Sequence, residues 1–89
     1  MNNKVTEINV IPVKAQDGLI AFCSFVLFEL LYCGSVAVYT RKDGGYRLVY
    51  PNKKVGLKEQ NIFHPINQEI GSEIEEAVSE KVNEIMYHD

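Results

Sequence analysis

The chain has 89 residues, of which 46% are hydrophobic and 24% charged, with a formal net charge of -3. That length holds one domain, residues 1–89, around a single core, and the composition is that of a globular chain and not a disordered one. Net acidity excludes a protein that coats nucleic acid by bulk charge.

The charge is unevenly placed. Residues 1–60 carry eight Lys/Arg against five Asp/Glu, whereas residues 61–89 carry only Lys81 against seven acids. A domain this small is marginal alone, and oligomerisation is one remedy.

Residues 5–14 (VTEINVIPVK) are rich in β-branched side chains, and Pro12 cannot donate to a ladder. The segment reads as an edge strand, or one with a bulge at Pro12. Asp17-Gly18 is a turn signal. Residues 19–28 are apolar on both alternating faces, as in a strand covered on both sides. Within residues 19–32 (LIAFCSFVLFELLY) the run is too short for a membrane span and contains Glu29. A pair of buried strands and a cytoplasmic protein are expected. Cys23 and Cys33 lie in this apolar context without a CxxC spacing, which predicts two buried thiols and no disulfide framework.

Gly34 interrupts the next run, and residues 36–40 (VAVYT) read as a third strand. Lys42-Asp43-Gly44-Gly45 supplies the positive φ of a hairpin turn, residues 46–50 (YRLVY) return, and Pro51 stops them. Residues 52–61 are polar and read as a loop. Residues 62–66 (IFHPI) read as extended, because the residue before a proline avoids helix. Ile70, Ile74, Val78, Val82 and Ile85 form the apolar stripe of a C-terminal helix. Ser72 with Glu75 fits a capping box, and the opposite helix face is acidic. The fold class is therefore α+β: a small antiparallel sheet of four to five strands and one C-terminal helix. The helix covers one sheet face, and a second copy could cover the other face or an edge.

Catalytic signatures are lacking. There is no GxGxxG, no GxxxxGK[ST] and no GxSxG. The Cys23, Cys33, His64, His88 spacing matches no zinc pattern, and His64 between Phe63 and Pro65 reads as a structural histidine. No catalytic residue, metal, cofactor or small-molecule substrate is expected.

Residues 41–58 hold Arg41, Lys42, Arg47, Lys53, Lys54 and Lys58 against Asp43, with Tyr39, Tyr46 and Tyr50 interleaved. Cations can pair with phosphates and aromatic rings can stack on bases, which is a footprint of nucleic-acid binding. The same residues would also suit an exposed hairpin whose lysines discourage edge pairing.

Several motifs in order resemble the stage V sporulation protein G (septation protein, SpoVG) family. Residues 20–27 (IAFCSFVL) look like its second strand, residues 45–54 (GYRLVYPNKK) like its hairpin return and Pro-x-Lys-basic loop, and residues 62–67 (IFHPIN) like its His-Pro-Ile-Asn segment. Residues 74–78 (IEEAV) resemble the start of its helix. The resemblance implies a bacterial regulator that binds DNA or RNA without catalysis, as a homodimer joined through β-strands. It also implies that Lys53 and Lys54 form the basic pair of the family loop, and that His64, Pro65, Ile66 and Asn67 form a turn that aims the helix. Two family arginines have no counterpart, because the corresponding stretches read Gln68-Glu69-Ile70-Gly71-Ser72 and Val36-Ala37-Val38. The acidic helix and these missing arginines point to an alternative, a protein-interaction module that keeps the fold without nucleic-acid binding.

Overall fold

The computed structural model describes residues 4–86; His88 and Asp89 lie outside the described residues. Strands β1 (Val5–Gln16), β2 (Leu19–Leu27), β3 (Leu31–Thr40) and β4 (Tyr46–Val49) form one antiparallel sheet in the order β1-β2-β3-β4. β5 (Asn52–Val55) and β6 (Lys58–Asn61) form a separate two-stranded hairpin, and α1 (Gln68–Met86) follows. The α+β class with one C-terminal helix is as the sequence predicts.

β1 is an edge strand, and its pairing with β2 shifts after Thr6 and again after Pro12, so both expectations raised by Pro12 are met. Asp17 and Gly18 both have positive φ in the two-residue turn that pairs Gln16 with Leu19. The β2–β3 turn is different, because Phe28 and Glu29 take positive φ without a glycine. No turn residue marks that reversal, so it is hidden within an apolar run. Gly34 does not interrupt β3. It sits inside the strand beside Ser35, whose φ is 60°, where β3 carries one extra residue opposite Cys23 and Phe25.

The polar stretch 52–61 is not a loop. It is the β5–β6 hairpin, with Lys53 opposite Gln60, Lys54 opposite Glu59 and Val55 opposite Lys58. Gly56, at φ 64°, starts the two-residue turn, where a side chain at Cβ would be strained. Every residue of both strands is exposed. With no apolar face, the hairpin leaves no hydrophobic alternation in the sequence.

Ile74, Val78 and Val82 pack on Val10, Cys23, Phe25, Val36 and Val38 to make the core. The stripe continues through Met86, which packs against the core, and not through Ile85, which is 39% exposed. Spacing of four residues keeps 74, 78, 82 and 86 on one face. Tyr46 is buried and its hydroxyl donates to Asn83 Oδ1 at 2.7 Å, which ties β4 to the helix. The expected capping box is absent, since Ser72 lies inside α1. Asn67 caps instead: its Oδ1 accepts from the Ile70 backbone N–H at 3.0 Å.

The sheet face away from α1 is bare. Cross-strand pairing places Ile11, Phe22 and Ala37 in one row and Val26 and Tyr32 two rows on, with Asn9 and Ser24 paired between them. Ile11 is 66% exposed, Phe22 40% and Tyr32 71%. β2 is therefore covered on one face only within this chain, not on both.

Candidate nucleic-acid interface

The basic residues between 41 and 58 fall in three places. Arg41 and Lys42 lie in the loop that joins β3 to β4, Arg47 is on β4, and Lys53, Lys54 and Lys58 are on the β5–β6 arm. All six are exposed.

Arg41 is engaged within the chain. Its Nε donates to the Tyr46 carbonyl at 3.0 Å, and its Nη2 lies 3.1 Å from both carboxylate oxygens of Glu75 on α1. Its charge therefore stitches the hairpin loop to the helix. Arg47 stacks over Tyr39, with its guanidinium carbon 4.8 Å from the ring centroid.

Of the three interleaved tyrosines, one is in the core and another is half-buried against it. Tyr46 is buried against the helix. Tyr50 packs edge-to-face on Phe63, with ring centroids 5.8 Å apart. Burial, together with the neighbouring Cys23, Cys33 and Glu75, pushes the Tyr50 hydroxyl up to about 12.

The arm is the concentrated basic element. Side chains alternate along a strand, so the adjacent Lys53 and Lys54 point to opposite faces. Register places Lys53, Val55, Lys58 and Gln60 on one face, and Asn52, Lys54, Glu59 and Asn61 on the other. The first face carries two cations and no acid. On the second, Glu59 lies directly across from Lys54. That Lys53 and Lys58 share one face, as diagonal neighbours, is not visible in the sequence until residues 52–61 are known to form a hairpin. The arm joins the body at its base, where the Ile62 N–H donates to the Pro51 carbonyl at 2.8 Å and Asn61 Nδ2 donates to the Tyr50 carbonyl at 3.4 Å.

The His64-Pro65-Ile66-Asn67 segment leads into the helix. His64 Nδ1 lies 3.0 Å from the Pro65 carbonyl, a local backbone contact. Pro65 rests beside Gly71 in the first turn of α1, and Asn67 provides the cap. Ile66 is exposed. An apolar groove of about 220 Å³ runs between this segment and the β2–β3 turn, lined by Phe28, Leu31, Phe63, His64, Ile66 and others, with no carboxylate among them. No group of three or more His, Cys, Asp or Glu side chains is placed to hold a metal among the described residues. Among them no helix is long and apolar enough to cross a membrane. Cys23 and Cys33 are buried and free, as expected.

No protein-family model matches this chain, and no curated protein matches it.

Proposed function

We propose that this chain is a non-catalytic DNA- or RNA-binding regulatory protein that acts as a homodimer, in the manner of the SpoVG family its motifs resemble. One observation carries the reading: a two-stranded arm, exposed on both faces, has Lys53 and Lys58 on a face without an acid. Phosphates attract such a face, and two-stranded ribbons are known to enter nucleic-acid grooves. The acidic helix is tolerable because the arm is a separate sheet. Arg47 and Lys42 are secondary contacts, and Arg41 contributes least because Glu75 already neutralises it.

The homodimer is supported by the bare sheet face, where Ile11, Phe22 and Tyr32 are exposed around Ser24 and Ser35, an apolar surface of the kind that marks an interaction site. A dimer presents four such lysines, Lys53 and Lys58 from each copy. On duplex DNA the slope of log affinity against log salt then approaches about -4. Electrophoretic mobility shifts across a salt series measure it. Lys53→Glu with Lys58→Glu abolishes the shift, while Lys54→Glu, opposite Glu59, weakens it less. Absence of any shift by the wild type at low salt and micromolar protein overturns the reading.

A second reading, a protein-interaction module, draws on the acidic helix face and the apolar groove beside Ile66. It predicts a partner that survives nuclease treatment in a pull-down; a partner released by nuclease counts against it.

A further inference from the structure

We propose that Leu57, at the tip of the β5–β6 arm, is a wedge that inserts between two base pairs of duplex DNA from the minor-groove side, while Lys53 and Lys58 hold the flanking phosphates. The inference rests on the nucleic-acid reading above and deepens it, because it names the form of nucleic acid and what happens to it.

Leu57 is 99% exposed and Val55, two residues before it, is 49% exposed. A leucine held wholly in water gains nothing from its own fold, because an apolar side chain contributes stability only when it is covered. The surroundings are open: a Cβ added at Gly56 meets nothing within 4 Å. The tip is therefore an apolar point on a basic stem.

The dimensions suit a groove. Four-residue strands span about 13 Å, and the minor groove is about 7.5 Å deep. The tip reaches the groove floor while the helix carboxylates stay outside. The groove is only about 6 Å wide in undistorted duplex, too narrow for a ribbon. Entry thus requires the widening that accompanies unstacking at a kinked step. Proteins that insert Leu, Phe or Pro between base steps bend the duplex by about 20–90°. The arm is suited to transmit that load, because its base is fastened through Pro51, Tyr50 and the Tyr50–Phe63 ring contact.

The test uses the full chain and a short duplex with a central TA step, which unstacks most readily. A 2-aminopurine at the step reads unstacking, and a donor–acceptor pair at the ends reads bending. The wild type raises the 2-aminopurine emission and shortens the end-to-end distance. Leu57→Ala still binds but loses both signals, and Leu57→Phe restores them. The position is fully exposed, so neither change disturbs the core. Where the wild type binds duplex, three results overturn the wedge. One is wild-type binding with neither signal, which leaves the nucleic-acid reading intact. Another is unchanged bending by Leu57→Ala. The third is loss of self-association by Leu57→Ala, which would seat the tip in the Phe28–Ile66 groove of a second copy. If the wild type binds no duplex at low salt but shifts single strands, the wedge fails alone; if it binds neither, both proposals fail.

Discussion

Cys23 shows how much a single side chain depends on what is packed around it. Burial pushes its thiol from 9.0 up to about 12, and Cys33 moves in the same direction for the same reason. Tyr50 rises from 10.0 to about 12, chiefly through burial. These groups keep their protons in the folded chain at pH values where the unfolded chain has released them. The stability they contribute is complete below about pH 9 and is lost as the pH rises from about 9 towards 12. The urea midpoint is expected to decline through that window, and Cys23→Ala should flatten part of the decline. A midpoint that stays level from pH 9 to 12 would contradict this account. The apolar neighbours of Cys23 are plain in the sequence. That Tyr50 shares its environment is not, since 27 residues and two strand crossings separate the two.

Among the elements, α1 is the most legible and its start the least. The four-residue spacing of Ile74, Val78 and Val82 specifies the helix and its buried face. Ser72-x-x-Glu75 satisfies a capping pattern, yet the cap is Asn67, five residues earlier. Pro65 lies against Gly71 in the first turn of α1, so the helix begins before Ser72. Glu75, released from capping, binds Arg41 instead. Asn67→Ala leaves the Ile70 N–H without its side-chain partner and is expected to cost about 1 kcal/mol in chemical denaturation. Ser72→Ala should cost far less; the reverse order would restore the capping box. The β5–β6 hairpin was illegible for a related reason. A two-stranded ribbon is marginal by itself and buries nothing, so no hydrophobic period records it. Its only local sign is Gly56 between Val55 and Leu57.

At the scale of the molecule, one layer of helix leaves half of the sheet uncovered. Phe22 sits mid-row on that bare face, between Ile11 and Ala37. Phe22→Lys puts a charge at the centre of the proposed dimer contact while leaving the helix side of the sheet intact. Sedimentation should then show a monomer where the wild type is a dimer; a wild type that is already monomeric at tens of micromolar, or a variant that stays dimeric, would argue for another contact. The amino-acid sequence alone determined the α+β class, the Asp17-Gly18 turn and the helix, and narrowed β1 to an edge strand or one bulged at Pro12, because these follow from local periodicity, proline chemistry and turn residues. Only the tertiary structure decided how the basic stretch is divided. Strand formation turned Lys53 and Lys54 to opposite faces, register brought Lys58 onto the face of Lys53, helix packing gave Arg41 to Glu75, and packing took Tyr46 into the core and half-buried Tyr50 against it. Charge is counted along the chain, but the faces on which it acts are fixed by pairing between segments that are not neighbours in sequence.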